Sequence, residues 1–178
     1  MIRLFDIVFA LAGILVFSVA FIMTPLLIVF EDGPPVFFRQ VRLGKNRKRI
    51  TVMKFRTMRN GNNTKVGGLL RASGIDEIPQ FLSVLKGHMA MVGPRPLTQD
   101  DVTRLNWSCE KFDDRWSIKP GVTGLAQIYG GHSARVSLFL DRRYLRRKGI
   151  CLNIYIILIS FGMNIFGKRR VRNWLRGR

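Results

Sequence analysis

Cysteine is scarce in this sequence, and several common motifs of nucleotide-binding and hydrolytic enzymes are missing. Cys109 and Cys151 are the two cysteines among 178 residues, and they offer neither a disulfide framework nor the spacing of a zinc site. We therefore expect two free thiols in a reducing compartment. The sequence also lacks a Walker loop, a dinucleotide-binding glycine motif and the chain order of a Ser–His–Asp triad.

Acidic residues are scarce as well. The chain has 11 Asp and Glu against 30 Lys and Arg, which gives a formal net charge of +19, and 47% of its residues are hydrophobic. Such a charge implies an anionic partner, and nucleic acid, an anionic bilayer and a phosphorylated substrate all fit it. The length fits one domain with a buried core.

The longest apolar run, residues 4–30, lies at the N-terminus. Its polar exceptions are Asp6, Ser18 and Thr24. The run is long enough to cross a hydrocarbon core of about 30 Å. A secretory signal is an alternative, since residues 18–20 resemble a cleavage site, but the run continues for ten more residues, which favours a membrane helix. Residues 36–59 contain nine Lys and Arg and no acid, which favours a cytoplasmic position for the following chain. Pro25 permits a bend, so a straight span and a re-entrant helix both fit; we expect the re-entrant helix, with a cytoplasmic N-terminus.

A second apolar run covers residues 150–166, before a basic tail at 168–178. Its polar residues Asn153, Ser160 and Asn164 fall on one helical face. This pattern is typical of an amphipathic helix in the membrane interface, with flanking cations near anionic lipid headgroups. A core helix followed by a solvated tail is the alternative.

Between these runs the sequence predicts a β-hairpin with strands at residues 36–43 and 49–58. Lys54 and Arg56 alternate along the second strand and should share a face, as a pair of cations for a diphosphate. Residues 60–72 are rich in Gly and Asn and predict a loop. A further turn at residues 119–124 should lead into a strand at 125–129, with glycines that let a ligand approach the backbone.

Four pairs of adjacent acids occur, and Asp76-Glu77 differs from the others. The pairs at 31–32, 100–101 and 113–114 have the character of solvated loop or helix-end charges, whereas Asp76-Glu77 is flanked by apolar residues. Ser73 is a candidate N-cap with Asp76 at the capping-box position, ahead of a helix. The loop at 92–96 then holds Arg95 between two prolines as a rigid, two-pronged phosphate ligand.

The motifs "VFFRQVRLG", "KFRTM", "IDEIPQFLSVLKG", "MVGPRPL" and "KPGVTGLAQI", in this order, resemble the bacterial sugar transferase family of small monotopic phosphoglycosyl transferases. The resemblance implies transfer of a sugar 1-phosphate from a UDP-sugar to polyprenyl (undecaprenyl) phosphate, with release of UMP, as the initiating step of glycoconjugate or polysaccharide assembly. It implies that Asp76 is the nucleophile that forms a covalent phosphosugar intermediate. Glu77 assists it, and both carboxylates are candidate ligands of Mg²⁺.

The same resemblance suggests further site residues and shows departures from the family pattern. The expected phosphate contacts are Lys54, Arg56, Arg71 and Arg95. The residues expected on the nucleotide-sugar side are Lys119, Gly121, Gly124 and Gln127. His88 and Ala90 stand where the family commonly has Asp and Ser, Asn153 where an acid is usual, and Ser18-Val19 where Ser-Pro is common.

Together these features predict an α+β, membrane-associated monotopic fold. It should contain an N-terminal re-entrant hydrophobic helix in residues 1–32, a catalytic domain with a small β-hairpin or sheet in 33–148, and an interfacial amphipathic helix with a basic tail in 149–178. The expected partners are a UDP-sugar, polyprenyl phosphate and anionic lipids, at the cytoplasmic face of the bacterial inner membrane. A non-catalytic membrane-surface or nucleic-acid-binding protein is the alternative, although most Phe residues lie in apolar runs rather than among cations, so nucleic acid is not expected. The oligomeric state is open, a homodimer included.

Overall fold

The N-terminal apolar run forms two helices with a sharp bend between them. The computed structural model describes residues 2–130 and 133–177, and it begins with α1 (Ile2–Val16) and α2 (Ser18–Asp32). Among the described residues no single helix has the length and hydropathy of a membrane span, whereas α1 and α2 meet that test as a pair with a 58° bend. The bend falls at Phe17, whose φ and ψ of −95° and 16° leave the helical region. Placing the bend at Pro25 was therefore wrong, since Pro25 lies inside α2.

Packing against the rest of the protein explains why the bend is at Phe17. Gly13 lies directly against the ring of Phe81, and a Cβ at Gly13 would be 2.7 Å from that ring. Phe17 also contacts Phe81, at 6.4 Å between ring centroids, while Phe21 on the other side of the bend contacts Phe55. The helix axis thus changes direction where its contacts pass from one element to another.

Both outer ends of this helix pair are bonded to the same globular body. The guanidinium of Arg3 donates to the carbonyls of Val84 at 2.6 Å and Leu85 at 2.7 Å. The buried Asp6 carboxylate accepts a 2.9 Å hydrogen bond from the backbone N–H of Met91.

At the far end of α2, Glu31 accepts hydrogen bonds from the backbone N–H groups of Lys65 and Val66. Asp32 forms ion pairs with Arg56 and Arg59, at 3.0 Å and 2.6 Å, and its side chain is only 12% exposed. The sequence-based view of this acid pair as solvated was therefore wrong for Asp32.

The predicted hairpin is confirmed, with a shorter second strand. Strands β1 (Phe37–Leu43) and β2 (Arg49–Phe55) are antiparallel, with Phe37 opposite Phe55 and Leu43 opposite Arg49. The chain then forms a short second hairpin from β3 (Met58–Arg59) and β4 (Asn62–Asn63), followed by helix α3 (Lys65–Ser73). The loop predicted at 60–72 was therefore wrong.

Helix α3 depends on a tertiary contact that its Gly-containing sequence does not indicate. Gly67 packs on the backbone of Thr57, so closely that a Cβ there would lie 2.0 Å from the Thr57 carbonyl oxygen. Thr64 caps the helix by accepting a hydrogen bond from Gly67 N–H. Ser73 is the last residue of α3, and its hydroxyl donates to the carbonyl of Leu69. Ser73 is thus not the N-cap that the sequence predicted.

The remaining elements alternate short strands with helices. Helix α4 (Gln80–Leu85) precedes β5 (Ala90–Val92), and α5 (Gln99–Arg104) and a 3₁₀ segment (Glu110–Ser117) lead to β6 (Gly121–Thr123), which pairs in parallel with β5. Helices α6 (Leu125–Tyr129), α7 (Ala134–Arg147), α8 (Ile150–Phe166) and α9 (Lys168–Arg176) complete the described chain. The strand predicted at 125–129 is a helix, and the basic tail is helical over Lys168–Arg176. The mixture of helices and small sheets confirms the α+β class.

Helix α8 confirms the helix predicted at 150–166 and shows where its polar face points. Asn153 is buried and bonded to the hydroxyl of Tyr144, and Ser160 is bonded to the hydroxyl of Thr123. The outward side chains of α8 are apolar and include Leu158 and Ile165. Asn153 and Ser160 of the polar stripe therefore pack on the protein, whereas Asn164 is exposed.

Candidate active site

The adjacent carboxylates Asp76 and Glu77 lie on a tight turn between α3 and α4. Gly74 ends α3 with a φ of 75°, a left-handed conformation that glycine adopts readily. The following 3₁₀ turn (Ile75–Glu77) is closed by a 3.1 Å hydrogen bond from Glu77 N–H to the Gly74 carbonyl. This turn holds the two acids side by side, with Asp76 only 8% exposed.

Burial and a neighbouring like charge both act on the Asp76 carboxylate. Loss of water raises the pKa of Asp76 above its ordinary value, and the neighbouring Glu77 raises it further. The opposing attraction comes from Lys54, Arg71 and Lys168. A carboxylate with a raised pKa is a stronger base and nucleophile than an ordinary aspartate once it is ionised.

Glu77 has a direct partner, the ammonium group of Lys54 on β2, which donates a hydrogen bond to Glu77 Oε1. This contact fixes Glu77 beside Asp76 and leaves its second oxygen available for another ligand. Two adjacent carboxylates are a donor set that Mg²⁺ accepts when substrate phosphates complete its coordination. Among the described residues no group of three or more His, Cys, Asp or Glu could hold a metal, and binding of Mg²⁺ by Asp76 and Glu77 stays a prediction.

A cavity of about 730 Å³ opens in front of the carboxylates, a size suited to a small-molecule substrate. Its lining contains five of the predicted site residues, namely Arg71, Asp76, Glu77, Arg95 and Gln127. Its apolar lining includes Phe9, Val16 and Phe17 of α1 and Ile157 and Phe161 of α8, together with residues of α4, β5, β6 and α6. The cavity is therefore lined by both charged and apolar side chains.

The remaining predicted site residues are not among those that line the cavity. Lys54 reaches the site through Glu77, but Arg56 follows the end of β2 and pairs with Asp32 at 3.0 Å. The paired cations predicted on one strand face are thus engaged with different acids. Contact of Arg56 with a substrate phosphate stays a prediction.

The turn at 119–124 supports the site from behind. A Cβ at Gly121 or Gly124 would lie 2.1 Å from backbone atoms of Gly93, so these glycines allow β6 to approach the loop that carries Arg95. The ammonium of Lys119 lies near Gly87 and the Arg3 guanidinium. Ligand contact by Lys119, Gly121 and Gly124 stays a prediction.

Sequence reasoning missed the residues that hold Arg95 in place. The buried guanidinium of Arg115 donates to the Arg95 carbonyl at 2.6 Å and to Asp141 Oδ2 at 2.8 Å. It lies within 5.3 Å of the ring centroids of Trp107 and Trp116. The sequence feature that could have indicated this ion pair is Asp141, an acid that adjoins the apolar face of α7.

Tyr144 supports the start of the same loop, since its buried hydroxyl lies 3.0 Å from the carbonyl oxygen of Val92 and 2.9 Å from Asn153 Oδ1. Asn153 is one of the departures from the family pattern, and here it serves as a hydrogen-bonding partner of Tyr144. The sequence also gave no indication that Lys168 and Arg172 of α9 line the cavity.

Comparison with known proteins identifies the relatives of this chain. The bacterial sugar transferase family matches residues 1–167. EpsL of Bacillus subtilis strain 168, named as an uncharacterised sugar transferase, is 37% identical over 90% of this chain and 89% of its own length.

Two longer relatives have more specific names. The UDP-N-acetylgalactosamine-undecaprenyl-phosphate N-acetylgalactosaminephosphotransferase of Aeromonas hydrophila is 32% identical, over 85% of this chain and 40% of its own length. The UDP-glucose:undecaprenyl-phosphate glucose-1-phosphate transferase of Escherichia coli K12 is 34% identical, over 87% of this chain and 38% of its own length. The chain spans less than half of these two proteins but nearly all of EpsL. By the family match and by this similarity, the chain belongs to the bacterial sugar transferase family.

Proposed function

We propose that this protein transfers a sugar 1-phosphate from a UDP-sugar to undecaprenyl phosphate, as the initiating step of polysaccharide or glycoconjugate assembly. The observation that carries the proposal is the buried Asp76 carboxylate, set in a cavity lined by both cations and apolar side chains. The names of the relatives from Aeromonas and Escherichia coli support this donor and acceptor class.

The reaction proceeds in two displacements at phosphorus. In the first, an Asp76 oxygen attacks the phosphorus that bears the sugar, the bond from this phosphorus to the bridging oxygen breaks, and UMP leaves with that oxygen. In the second, an oxygen of undecaprenyl phosphate attacks the same phosphorus, and its bond to Asp76 breaks. The products are undecaprenyl diphosphate sugar and the free carboxylate, and the covalent intermediate divides one difficult step into two easier ones.

The neighbouring charges assist these displacements. Arg71 and Arg95 face the cavity and stabilise negative charge on the phosphoryl oxygens. Mg²⁺ bound by Asp76 and Glu77 would supply further charge neutralisation at the diphosphate. Lys54 orients Glu77 beside Asp76 through its hydrogen bond to Glu77 Oε1.

The contacts of the helix pair support a re-entrant topology. Arg3 and Asp6 at the start of α1 bond to the same body that Glu31 and Asp32 bond at the end of α2. A straight span would separate these two ends by the thickness of a bilayer. Together with the cations in residues 36–59, this supports a helix pair that enters and leaves the membrane on the cytoplasmic side.

The decisive experiment measures UMP release from a panel of UDP-sugars by the purified protein in detergent with undecaprenyl phosphate and Mg²⁺. We expect one or more donors to give turnover, and a radiolabelled sugar phosphate to remain on the protein when the acceptor is omitted. Asp76→Asn should abolish both signals, whereas Asp100→Asn, at an exposed acid of another adjacent pair, should retain both. Failure of every donor to release UMP would refute the proposal and favour a non-catalytic role at the membrane surface.

A further inference from the structure

Helix α9 brings two cations to the active-site cavity from outside the family match. The match ends at residue 167 and α9 begins at Lys168. Lys168 and Arg172 both line the cavity that contains Asp76, because residues four positions apart lie on the same face of a helix. Lys168 is close enough to Asp76 for its charge to act on that carboxylate.

Arg172 fixes α9 in this position. Its guanidinium donates to the carbonyl of Gln127 at 3.0 Å and to that of Ile128 at 3.3 Å. These carbonyls belong to the last turn of α6, where helix carbonyls lack intrahelical partners and attract cations. Arg172 thus attaches α9 to α6, and Lys168, one turn earlier, is left facing the cavity.

Lys168 stands where the apolar surface of the protein meets its charged surface. The preceding helix α8 presents apolar side chains outward, with Leu158 63% and Phe166 64% exposed. Ile157 and Phe161 of the same helix line the cavity together with residues of α1. One cavity therefore brings these apolar side chains and Lys168 together with Asp76.

This combination of apolar side chains and a cation suits the acceptor better than the donor. A polyprenyl phosphate carries one phosphate on a long apolar chain, so its chain can lie against α1 and α8 while its phosphate meets a cation. A UDP-sugar has no apolar chain to place against these residues. The guanidinium groups of Arg71 and Arg95 in the same cavity suit the diphosphate of the donor.

We propose that Lys168 binds the phosphate of the polyprenyl phosphate acceptor, and that Arg172 is a positioning residue that holds α9 against α6. This inference rests on the proposed function, and it assigns an acceptor-binding role to a helix beyond the family match.

The test compares Lys168→Gln with Arg170→Gln, which removes a charge from an exposed position of the same helix outside the cavity lining. Two quantities are measured in detergent: the KM for undecaprenyl phosphate in full turnover, and the rate of the single burst of UMP in the absence of acceptor. For Lys168→Gln we expect the KM to rise about tenfold or more, as loss of a charge-assisted contact to phosphate should give. The UMP burst should stay within about twofold of the wild type.

Two further variants separate binding from structure. Lys168→Arg keeps a cation and should recover most of the affinity for the acceptor, and Arg170→Gln should leave both quantities unchanged. Direct binding of undecaprenyl phosphate, with undecaprenol as the control that lacks the phosphate, should weaken in Lys168→Gln for the phosphate alone.

The inference is overturned if the acceptor KM of Lys168→Gln is unchanged, if Arg170→Gln raises it equally, or if the UMP burst falls as far as turnover does. The last result would assign Lys168 to the first displacement, through the donor diphosphate or through its charge acting on Asp76. Failure of the proposed function would look different, because the wild type itself would then release no UMP while the binding comparison could still be made.

Discussion

The buried ion pair between Arg115 and Asp141 should show different pH behaviour depending on which partner is removed. The two side chains are 3% and 4% exposed and their charged atoms are 2.8 Å apart. At an effective dielectric constant of about 20, their attraction is about 6 kcal/mol before the cost of desolvation is subtracted. Removing one partner leaves a buried charge without compensation, which typically destabilises a protein by about 3–5 kcal/mol.

In Asp141→Asn the remaining charge is a guanidinium. Although burial lowers the pKa of Arg115, an arginine ordinarily titrates above pH 12 and stays charged in the accessible range. We expect a loss of about 3–5 kcal/mol that is nearly the same from about pH 5 to about pH 8.5.

In Arg115→Met the remaining charge is a carboxylate, which can neutralise itself. Burial raises the pKa of Asp141 even in the native protein, and the attraction of Arg115 opposes that rise. Without Arg115 the folded-state pKa rises further above the unfolded value. The destabilisation should therefore be largest at high pH and should shrink as the pH falls and the carboxyl takes up a proton.

Thermal unfolding in detergent measures both effects. For a chain of this length 1 kcal/mol corresponds to about 2–4 °C in Tm, so the expected loss is about 6–20 °C at neutral pH. Arg142→Met is the matched control, because its ion pair with Asp114 has the same chemistry but is 36% and 46% exposed, and should change Tm little. A pH-independent loss in Arg115→Met, or a loss no larger than in Arg142→Met, would contradict this reasoning.

Three further outcomes are expected. Asp76→Asn should raise Tm at neutral pH, because burial and Glu77 raise the pKa of Asp76 and its ionised form therefore destabilises the fold. In the wild type, kcat/KM should fall on the acid side with an apparent pKa above the ordinary value of an aspartate. An apparent pKa at or below that value would argue against Asp76 as the titrating nucleophile. Arg95→Lys should lower kcat/KM about tenfold or more, because lysine cannot grip two phosphate oxygens at once, and activity within about twofold of the wild type would make the loop structural. Ile2→Cys, in a background in which Cys109 and Cys151 are serine, should resist an impermeant thiol reagent in intact cells and react after permeabilisation, whereas labelling of intact cells would show that the N-terminus is outside.

Local patterns in the sequence identified the elements whose conformation depends mainly on their own and neighbouring residues. The hairpin of β1 and β2 follows from alternation and a central turn, and α8 from a continuous apolar run with a polar stripe. The family resemblance, which the family match confirms, was carried by short motifs such as "IDEIPQFLSVLKG" and depends little on tertiary structure.

Elements that depend on distant contacts were missed. Helix α3 contains Gly67 and Gly68, which disfavour a helix in isolation, yet Gly67 is required by the close approach of Thr57. The bend at Phe17 follows the packing of α1 on Phe81, whereas the sequence drew attention to Pro25. Sequence analysis ranks local propensity, and at these places a contact made elsewhere in the chain decides the conformation.

The candidate site shows the same division. Asp76, Glu77, Arg71, Arg95 and Gln127 were found because they lie in or near recognisable motifs, and the structure brings them to one cavity. Their partners were not found: Arg115 and Asp141 are 26 residues apart, and each resembles an ordinary surface charge in sequence. Lys168 was interpreted as part of a basic tail, because nothing in the sequence shows that α9 folds back over the cavity.

The hydrogen bonds of Arg3 and Asp6 at the start of α1 also determine when this helix can dock during synthesis. Arg3 and Asp6 bond to residues 81 to 85 positions later in the chain, so their partners do not exist when the first helix leaves the ribosome. At about 5–20 residues per second, roughly 80 further residues take about 4–16 s to synthesise. During this interval the start of α1 lacks the partners that Arg3 and Asp6 have in the folded protein. The bonds of Arg3 and Asp6 can therefore form only after their partners are synthesised, so variants at these positions should act on the completed fold and leave the formation of α1 itself unchanged.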